Sequence, residues 1–169
     1  LATSCSSNPF DPPPPTIEPA RAAASPPPTT RPAGQIMALG GRPTAALFDA
    51  KTASLVVFTP GTDPQNAATV TAFGPAAAPR TLTLGGPASA MTGDGQGRVY
   101  LSTRGGYFDV DLAAGSSRRV GIDSERETDF TAIARRADGR LVLGSAHGAA
   151  YTLGSDNTVA AKAEIFARV

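Results

Sequence analysis

Three short apolar runs recur at an almost constant spacing in the later part of the chain, and this repeat limits the folds open to it. The runs are Leu55-Val56-Val57-Phe58, Val99-Tyr100-Leu101 and Leu141-Val142-Leu143, which begin 44 and then 42 residues apart. No stretch with helical periodicity is long enough to predict an amphipathic helix. A spacing of about 40–45 residues is typical of one β-propeller blade. The repeat therefore predicts an all-β fold for residues 35–169.

Each repeat also contains the turns and further strands that a four-stranded blade needs. Asp or Gly precedes every apolar run, at Asp49-Ala50-Lys51, Asp94-Gly95-Gln96-Gly97-Arg98 and Asp138-Gly139-Arg140, as a tight hairpin turn requires. The apolar runs lack polar alternation because a blade is covered on both faces, whereas the rival architecture, a β-sandwich, leaves one face to solvent. We expect small-residue inner strands at 45–48, 88–91 and 131–134, third strands at 68–73, 107–112 and 149–153, and fourth strands at 80–84, 117–122 and 158–165.

About three blades do not close a propeller ring, which typically has about 4–8 blades. The last residues, Phe166-Ala167-Arg168-Val169, have the composition of a strand rather than of a polar cap. We therefore expect residues 35–169 to be the N-terminal blades of an incomplete ring, truncated from a six- or seven-bladed propeller.

Residues 1–34 differ sharply from the rest of the chain, because they contain ten of its 16 prolines. Proline lacks a backbone N–H and fixes φ, so this tract is predicted to be a disordered or extended tether. At its start, Thr3-Ser4-Cys5 resembles a bacterial lipobox, in which the cysteine receives a diacylglycerol. We expect a signal peptide before it, acyl groups including palmitate on Cys5, and O-glycosylation of Thr16, Thr29 and Thr30 as a further hypothesis.

Charge and composition exclude several classes of function. Lys and Arg number 15 against 14 Asp and Glu, for a net charge of +1, so the clustered positive charge of a nucleic-acid-binding protein is missing. One Cys and one His exclude a multi-His or Cys-rich zinc site. No run approaches the roughly 18 apolar residues of a membrane-spanning helix. We expect no nucleic-acid partner, no metal and no cofactor besides the lipid on Cys5.

The residues that suggest chemistry are few. Asp49, Asp94 and Asp129 lie near the predicted inner strands, where carboxylates facing a central channel would hold a hard cation. Together with Asp138 they also lie in or beside turns, where hydrogen bonds to backbone N–H groups explain them equally well, and we favour this interpretation. His147 is interpreted as an exposed hairpin residue, and no catalytic residue is predicted.

Several segments are similar to those of the LppL family of conserved mycobacterial envelope lipoproteins. They are Pro15-Thr16-Ile17-Glu18-Pro19-Ala20, Ala45-Ala46-Leu47-Phe48-Asp49, Arg104-Gly105-Gly106-Tyr107-Phe108, 129–136 and Leu141-Val142-Leu143-Gly144-Ser145. The resemblance implies an exported lipoprotein that is acylated at Cys5 and has a propeller body continuing past Val169. It implies no catalytic role.

The leading functional hypothesis is a binding or scaffold module, anchored by lipid to the outer face of the cytoplasmic membrane. Its expected partners are the membrane and a membrane or envelope protein, such as a larger membrane protein complex. The alternative is a metal-dependent, lactonase-like or other hydrolytic propeller enzyme whose site lies partly in further blades. Carriage of a sugar or lipid is a poorer hypothesis, because ten aromatic residues are few for a lined pocket.

Overall fold

The computed structural model describes residues 23–24, 34, 36–37, 39–63, 65–75 and 78–164. Twelve β-strands lie within these residues, all inside the unit Ala38–Val169, with a single-turn 3-10 helix at Asp123–Glu125. The predicted modification sites Cys5, Thr16, Thr29 and Thr30 lie outside the described residues. Over the described part of the chain, no helix is both long and apolar enough to cross a membrane.

The strands form three antiparallel sheets, each made of four strands in chain order. The first sheet contains β1 (Ala45–Asp49), β2 (Ser54–Thr59), β3 (Thr69–Phe73) and β4 (Arg80–Thr83). The second contains β5 (Met91–Gly93), β6 (Arg98–Thr103), β7 (Gly106–Asp111) and β8 (Ser116–Gly121). The third contains β9 (Phe130–Arg135), β10 (Leu141–Ser145), β11 (Ala149–Leu153) and β12 (Val159–Glu164).

The hairpin turns follow from the sequence pattern. Gly95 and Gly139 lie between the first two strands of the second and third sheets, with φ of 68° and 86°. This left-handed conformation is costly for residues with a Cβ, so glycine is favoured at these positions. Short turns of this kind join neighbouring antiparallel strands and give each sheet its simple up-and-down order.

The three sheets stack side by side, with β1 next to β5 and β5 next to β9. Their facing surfaces enclose two apolar clusters. The first cluster, between the first and second sheets, is centred on Val56, Phe58, Val70, Val99, Leu101, Phe108 and Val110. The second, between the second and third sheets, contains Tyr107, Val120, Ile122, Phe130, Ile133, Leu141, Leu143, Tyr151 and Leu153. Burial of a large apolar side chain stabilises the fold by about 1.5–3 kcal/mol.

The middle sheet is covered on both faces, because alternate residues of its strands enter different clusters. In β7, Phe108 and Val110 contact the first cluster while Tyr107 belongs to the second. Apolar side chains on both faces of this sheet are therefore covered by a neighbouring sheet, which differs from a two-sheet sandwich. The prediction of an all-β fold with about three four-stranded propeller blades is confirmed.

Candidate functional site

A groove of about 320 Å³ lies between the second and third sheets. The second sheet contributes two tyrosines from its central strands. The third sheet contributes the β9–β10 turn and the β11–β12 turn. The lining residues are Tyr100, Tyr107, Asp138, Gly139, Arg140, Leu141, Leu153, Gly154, Ser155 and Asn157.

The two tyrosines lie on the same face of the second sheet, on adjacent strands. Tyr107 pairs with Ser102, two residues from Tyr100, so the two rings are diagonal neighbours. Their centroids are 6.1 Å apart with an interplanar angle of 67°, an edge-to-face arrangement. Tyr107 is almost fully buried, whereas Tyr100 is half-buried at the groove wall.

The position of Tyr107 is fixed by the opposite sheet. Its hydroxyl donates a hydrogen bond of 2.5 Å to Oδ1 of Asn157 in the β11–β12 turn. Asn157 has a φ of 64°, a left-handed conformation that asparagine tolerates better than most residues. Burial raises the pKa of Tyr107 and of Tyr100, and the charge of Asp109 adds to the effect on Tyr107. Both hydroxyls therefore remain protonated donors at neutral pH.

A buried carboxylate organises the charged side chains beside the tyrosines. Asp109 is 6% exposed, and its Oδ1 accepts a hydrogen bond of 2.8 Å from Nη1 of Arg98. Its Oδ2 accepts bonds of 3.2 Å and 3.0 Å from Nε and Nη2 of Arg118. The hydrogen bond from Arg98 to Asp109 raises the pKa of Arg98, so this guanidinium stays charged.

These contacts leave the outer parts of both guanidiniums open to solvent, since Arg98 is 44% and Arg118 is 70% exposed. Asp109 pairs directly with Tyr100 and with Arg118 in neighbouring strands, so the charges and the rings share one face. Tyrosine and arginine are the residue types enriched at the energetic centres of protein interfaces. Arg98 and Arg118 are not part of the groove lining but lie beside it on the same face of the second sheet, so a polypeptide segment in the groove could reach both guanidiniums.

The aspartates singled out in the sequence do not form a group of three or more in the part of the chain that the structure describes. Asp49 is fully buried and accepts hydrogen bonds from the N–H groups of Thr52 and Gly97, both at 2.9 Å. Asp94 accepts bonds from the N–H groups of Gln96 and Arg98 in its own turn.

Asp129, by contrast, is 59% exposed and precedes β9, so it lies at the start of an inner strand, whereas Asp49 and Asp94 lie at strand ends. Asp138 accepts a bond of 3.1 Å from the N–H of Arg140. Asp49, Asp94 and Asp138 thus accept hydrogen bonds from backbone N–H groups, as expected for aspartates in turns. Within the described ranges, no group of three or more His, Cys, Asp or Glu residues could hold a metal ion.

The interpretation of His147 as an exposed hairpin residue is confirmed. His147 lies in the exposed β10–β11 turn, where the N–H of Gly148 bonds to the carbonyl oxygen of Ser145. The adjacent Arg118 and Arg119 point to opposite sides of β8, since Arg118 binds Asp109 and Arg119 donates to the carbonyl oxygen of Arg104 at 2.7 Å.

Sequence reasoning missed the groove itself. The available signal was the alternation in β6 and β7, where polar Arg98, Tyr100, Tyr107 and Asp109 alternate with apolar residues on strands expected to be apolar on both faces. Alternation places these four side chains on one face of the sheet. Their partner in the third sheet, Asn157, has no such signal because it is 50 residues away from Tyr107.

Comparison with known proteins gives only a distant likeness. No family model and no curated protein matches the chain. Among solved structures, the chain is similar to the β-propeller domain of Cps50 (Swd1) from Myceliophteria thermophila, with 13% identity and a TM-score of 0.40. The match covers 77% of this chain and 57% of the other, so the chain spans little more than half the length of that domain. The assignment of the fold therefore depends on the three sheets themselves.

Proposed function

We propose that the chain is a binding or scaffold module of the bacterial cell envelope, tethered by lipid on Cys5 and engaging a protein partner through the groove between the second and third sheets. The observation that carries the proposal is the pair of tyrosines beside two guanidiniums that a buried carboxylate holds in place. The partner is a membrane or envelope protein with a segment that enters the groove.

The groove is organised before a partner arrives, and this favours binding. Ordering a long side chain at an interface costs about 0.5–1.5 kcal/mol. Tyr107 is already held by Asn157, and Arg98 and Arg118 are already held by Asp109. Much of that ordering cost has therefore been met in folding. The exposed guanidinium edges remain available for carboxylate or carbonyl oxygens of the partner.

The tether in the proposal is supported by the sequence pattern. Cys5 lies in a lipobox-like context and precedes a proline-rich tract. Such a tract extends by about 3.1 Å per residue, so about 30 residues would reach roughly 90 Å from the membrane. A module on this tether would meet partners that project well above the bilayer.

Replacing Tyr100 with alanine is expected to weaken partner binding at least tenfold, because a half-buried ring of the groove wall is lost. The partner is first identified by photo-crosslinking from position 140 at the groove rim, with a probe at position 114 on another surface as control. Its affinity for the purified variants is then measured by calorimetry. Thr83→Ala, on the exposed β4 strand outside the groove, is the matched control. Equal affinities for wild type and Tyr100→Ala would contradict the proposal.

Replacing Cys5 with alanine is expected to move nearly all of the protein from the membrane fraction to the soluble fraction, since two or three acyl chains supply the membrane affinity. The protein is produced behind a lipoprotein export signal and followed by fractionation and intact-mass measurement. Ser7→Ala is the control and should remain acylated. If the wild-type protein has the mass of the unmodified chain, or if Cys5→Ala stays in the membrane fraction, the lipid anchor is refuted. Neither result bears on binding in the groove.

A further inference from the structure

The groove between the second and third sheets is bordered by arginines on both of its walls. Arg98 and Arg118 lie beside it, on the face of the second sheet that carries the two tyrosines. On the third sheet, Arg140 lines the groove itself. Arg135 pairs directly with Leu141, a lining residue, and therefore lies on the same face of the sheet as that leucine. A segment lying in the groove is thus flanked by guanidiniums from both sheets.

The two arginines of the third sheet are available to a bound molecule. Both are exposed, and neither takes part in an ion pair within the described ranges of the chain. The guanidinium of Arg135 lies against the β9–β10 turn, since a Cβ at Gly139 would be 3.2 Å from its Nη2. Burial raises the pKa of Tyr100, and the charge of Arg135 opposes this rise, so the guanidinium acts on the groove wall opposite to it.

Four carboxylates contact the arginine residues around the groove, and each is already engaged by donors of this chain. Asp109 accepts three hydrogen bonds from the two guanidiniums of the second sheet. Asp94 accepts two from N–H groups of its own turn. Asp111 and Asp138 each accept one from a turn N–H and lie 3.5 Å from a guanidinium nitrogen. Five guanidiniums against these four carboxylates leave a net charge of +1, and they belong to Arg98, Arg118, Arg135, Arg136 and Arg140.

The groove therefore presents hydrogen-bond donors, and its complement is a ligand rich in acceptors. A guanidinium has five N–H donors and no acceptor, whereas an ionised carboxylate only accepts. Arginine and carboxylate also form bidentate pairs, which are stronger than hydrogen bonds between neutral groups. The volume of about 320 Å³ is at the lower end of the range of ligand pockets, about 300–1,000 Å³, so the groove takes a short segment.

We propose that the segment recognised by the groove is acidic, with at least two Asp or Glu side chains that bind arginines on opposite walls and an apolar side chain that packs on Tyr100. This inference rests on the proposed function of the groove and names the chemistry of its partner. Successive side chains of an extended segment point to opposite sides. Two neighbouring acidic residues would therefore reach Arg118 on one wall and Arg140 on the other.

The proposal is tested by selecting peptides from a displayed library of random sequences on the full chain, carrying Cys5→Ala so that no lipid is attached. The same selection is made on the protein that also carries Tyr100→Ala. Peptides recovered only when Tyr100 is present are expected to be enriched in Asp and Glu over the starting library. Recovery of such peptides without this enrichment would overturn the acidic assignment and leave the groove as a binding site. If no peptide depends on Tyr100, the proposed function fails and this inference fails with it.

A recovered acidic peptide is then synthesised, and its affinity is measured by calorimetry. Arg140→Glu is expected to raise its dissociation constant at least about tenfold, because an attraction becomes a repulsion. Arg119→Glu is the matched control with the same change in net charge. Arg119 is adjacent to Arg118 but points to the opposite side of β8, where it donates to the carbonyl oxygen of Arg104, so the affinity should be unchanged.

Reversing the charge on the peptide separates recognition from a loss of folding. When each acidic residue of the peptide is replaced in turn by lysine, one of the resulting peptides is expected to bind Arg140→Glu more tightly than it binds the wild type. Equal effects of Arg140→Glu and Arg119→Glu would show a response to overall charge and would overturn the proposal. So would displacement of the peptide by phosphatidylglycerol vesicles, which would assign the arginines to an anionic lipid surface. Circular dichroism checks that each variant is folded.

Discussion

Replacing Asp49 with alanine is expected to lower the free energy of unfolding by about 3 kcal/mol, because a buried carboxylate with three hydrogen bonds is lost. Oδ2 accepts bonds from the N–H and the hydroxyl of Thr52, at 2.9 Å and 2.7 Å. Oδ1 accepts a bond from the N–H of Gly97, which joins the first turn of the first sheet to that of the second. Alanine leaves the buried Gly97 N–H without this partner. Urea denaturation measures the loss.

The effect of Asp49→Ala should depend on pH. Burial by itself raises the pKa of Asp49, but the hydrogen bonds from Thr52 and Gly97 outweigh it and hold the pKa below its ordinary value. A lowered pKa means that the carboxylate stabilises the fold above its ordinary pKa, and that this contribution is lost as the pH falls through the lowered value. The difference between wild type and Asp49→Ala is therefore expected to shrink below about pH 4.

Asp138 supplies the matched control, since it lies in the corresponding turn of the third sheet. It is 43% exposed, and its carboxylate accepts a bond from the N–H of Arg140. Asp138→Ala is expected to cost less than about 1 kcal/mol. Similar losses for the two variants would show that Asp49 acts only within its own turn and does not link the sheets.

Replacing Gly106 with alanine is expected to cost at least about 3 kcal/mol. A Cβ at Gly106 would overlap the carbonyl oxygen of Val120 in the neighbouring strand. That oxygen belongs to a hydrogen-bonded backbone and has little room to move. Gly106 also has a φ of 158°, which residues with side chains rarely adopt. Thermal and urea unfolding measure the loss.

Gly121 is the direct strand partner of Gly106 and provides an internal control. A Cβ at Gly121 would meet no atom within 4 Å, and the residue is exposed. Gly121→Ala is expected to leave stability unchanged or to raise it by about 0.5 kcal/mol, because alanine restricts the unfolded chain. Equal destabilisation by the two substitutions would mean that this end of the second sheet is generally intolerant of side chains.

Much of the fold could be predicted because its determinants are local. The apolar runs that contain Val56, Tyr100 and Val142 lie in the second strand of each sheet, as their spacing indicates. Asp and Gly in the turns specify hairpins within a few residues. The predicted position of the inner strand of the second sheet is less accurate. The sequence predicts it at 88–91, but it lies at Met91–Gly93. The ladder is irregular before Met91, because the carbonyl oxygen of Ser102 accepts from the N–H of Ser89 while the N–H of Ser102 donates to the carbonyl oxygen of Ala90.

The candidate groove could not be predicted because its contacts join distant parts of the chain. Tyr107 bonds to a turn 50 residues away, and Asp49 bonds to a turn 48 residues away. Contacts between residues this far apart in the sequence cannot be recognised from local composition. The burial of Asp109 could not be predicted for another reason. A carboxylate within an apolar run suggests an exposed sheet edge, whereas here two arginines neutralise the carboxylate in a buried position.

The alternation along β7 also restricts how this protein can diverge. Gain or loss of one residue within the strand would turn Phe108 and Val110 toward the charged face of the sheet and Asp109 into the apolar cluster on the other side. Insertion or deletion of a single codon would cause both misplacements, and neither would compensate for the other. A change in the length of a turn would therefore disturb the packing of the sheets less than a change in the length of this strand.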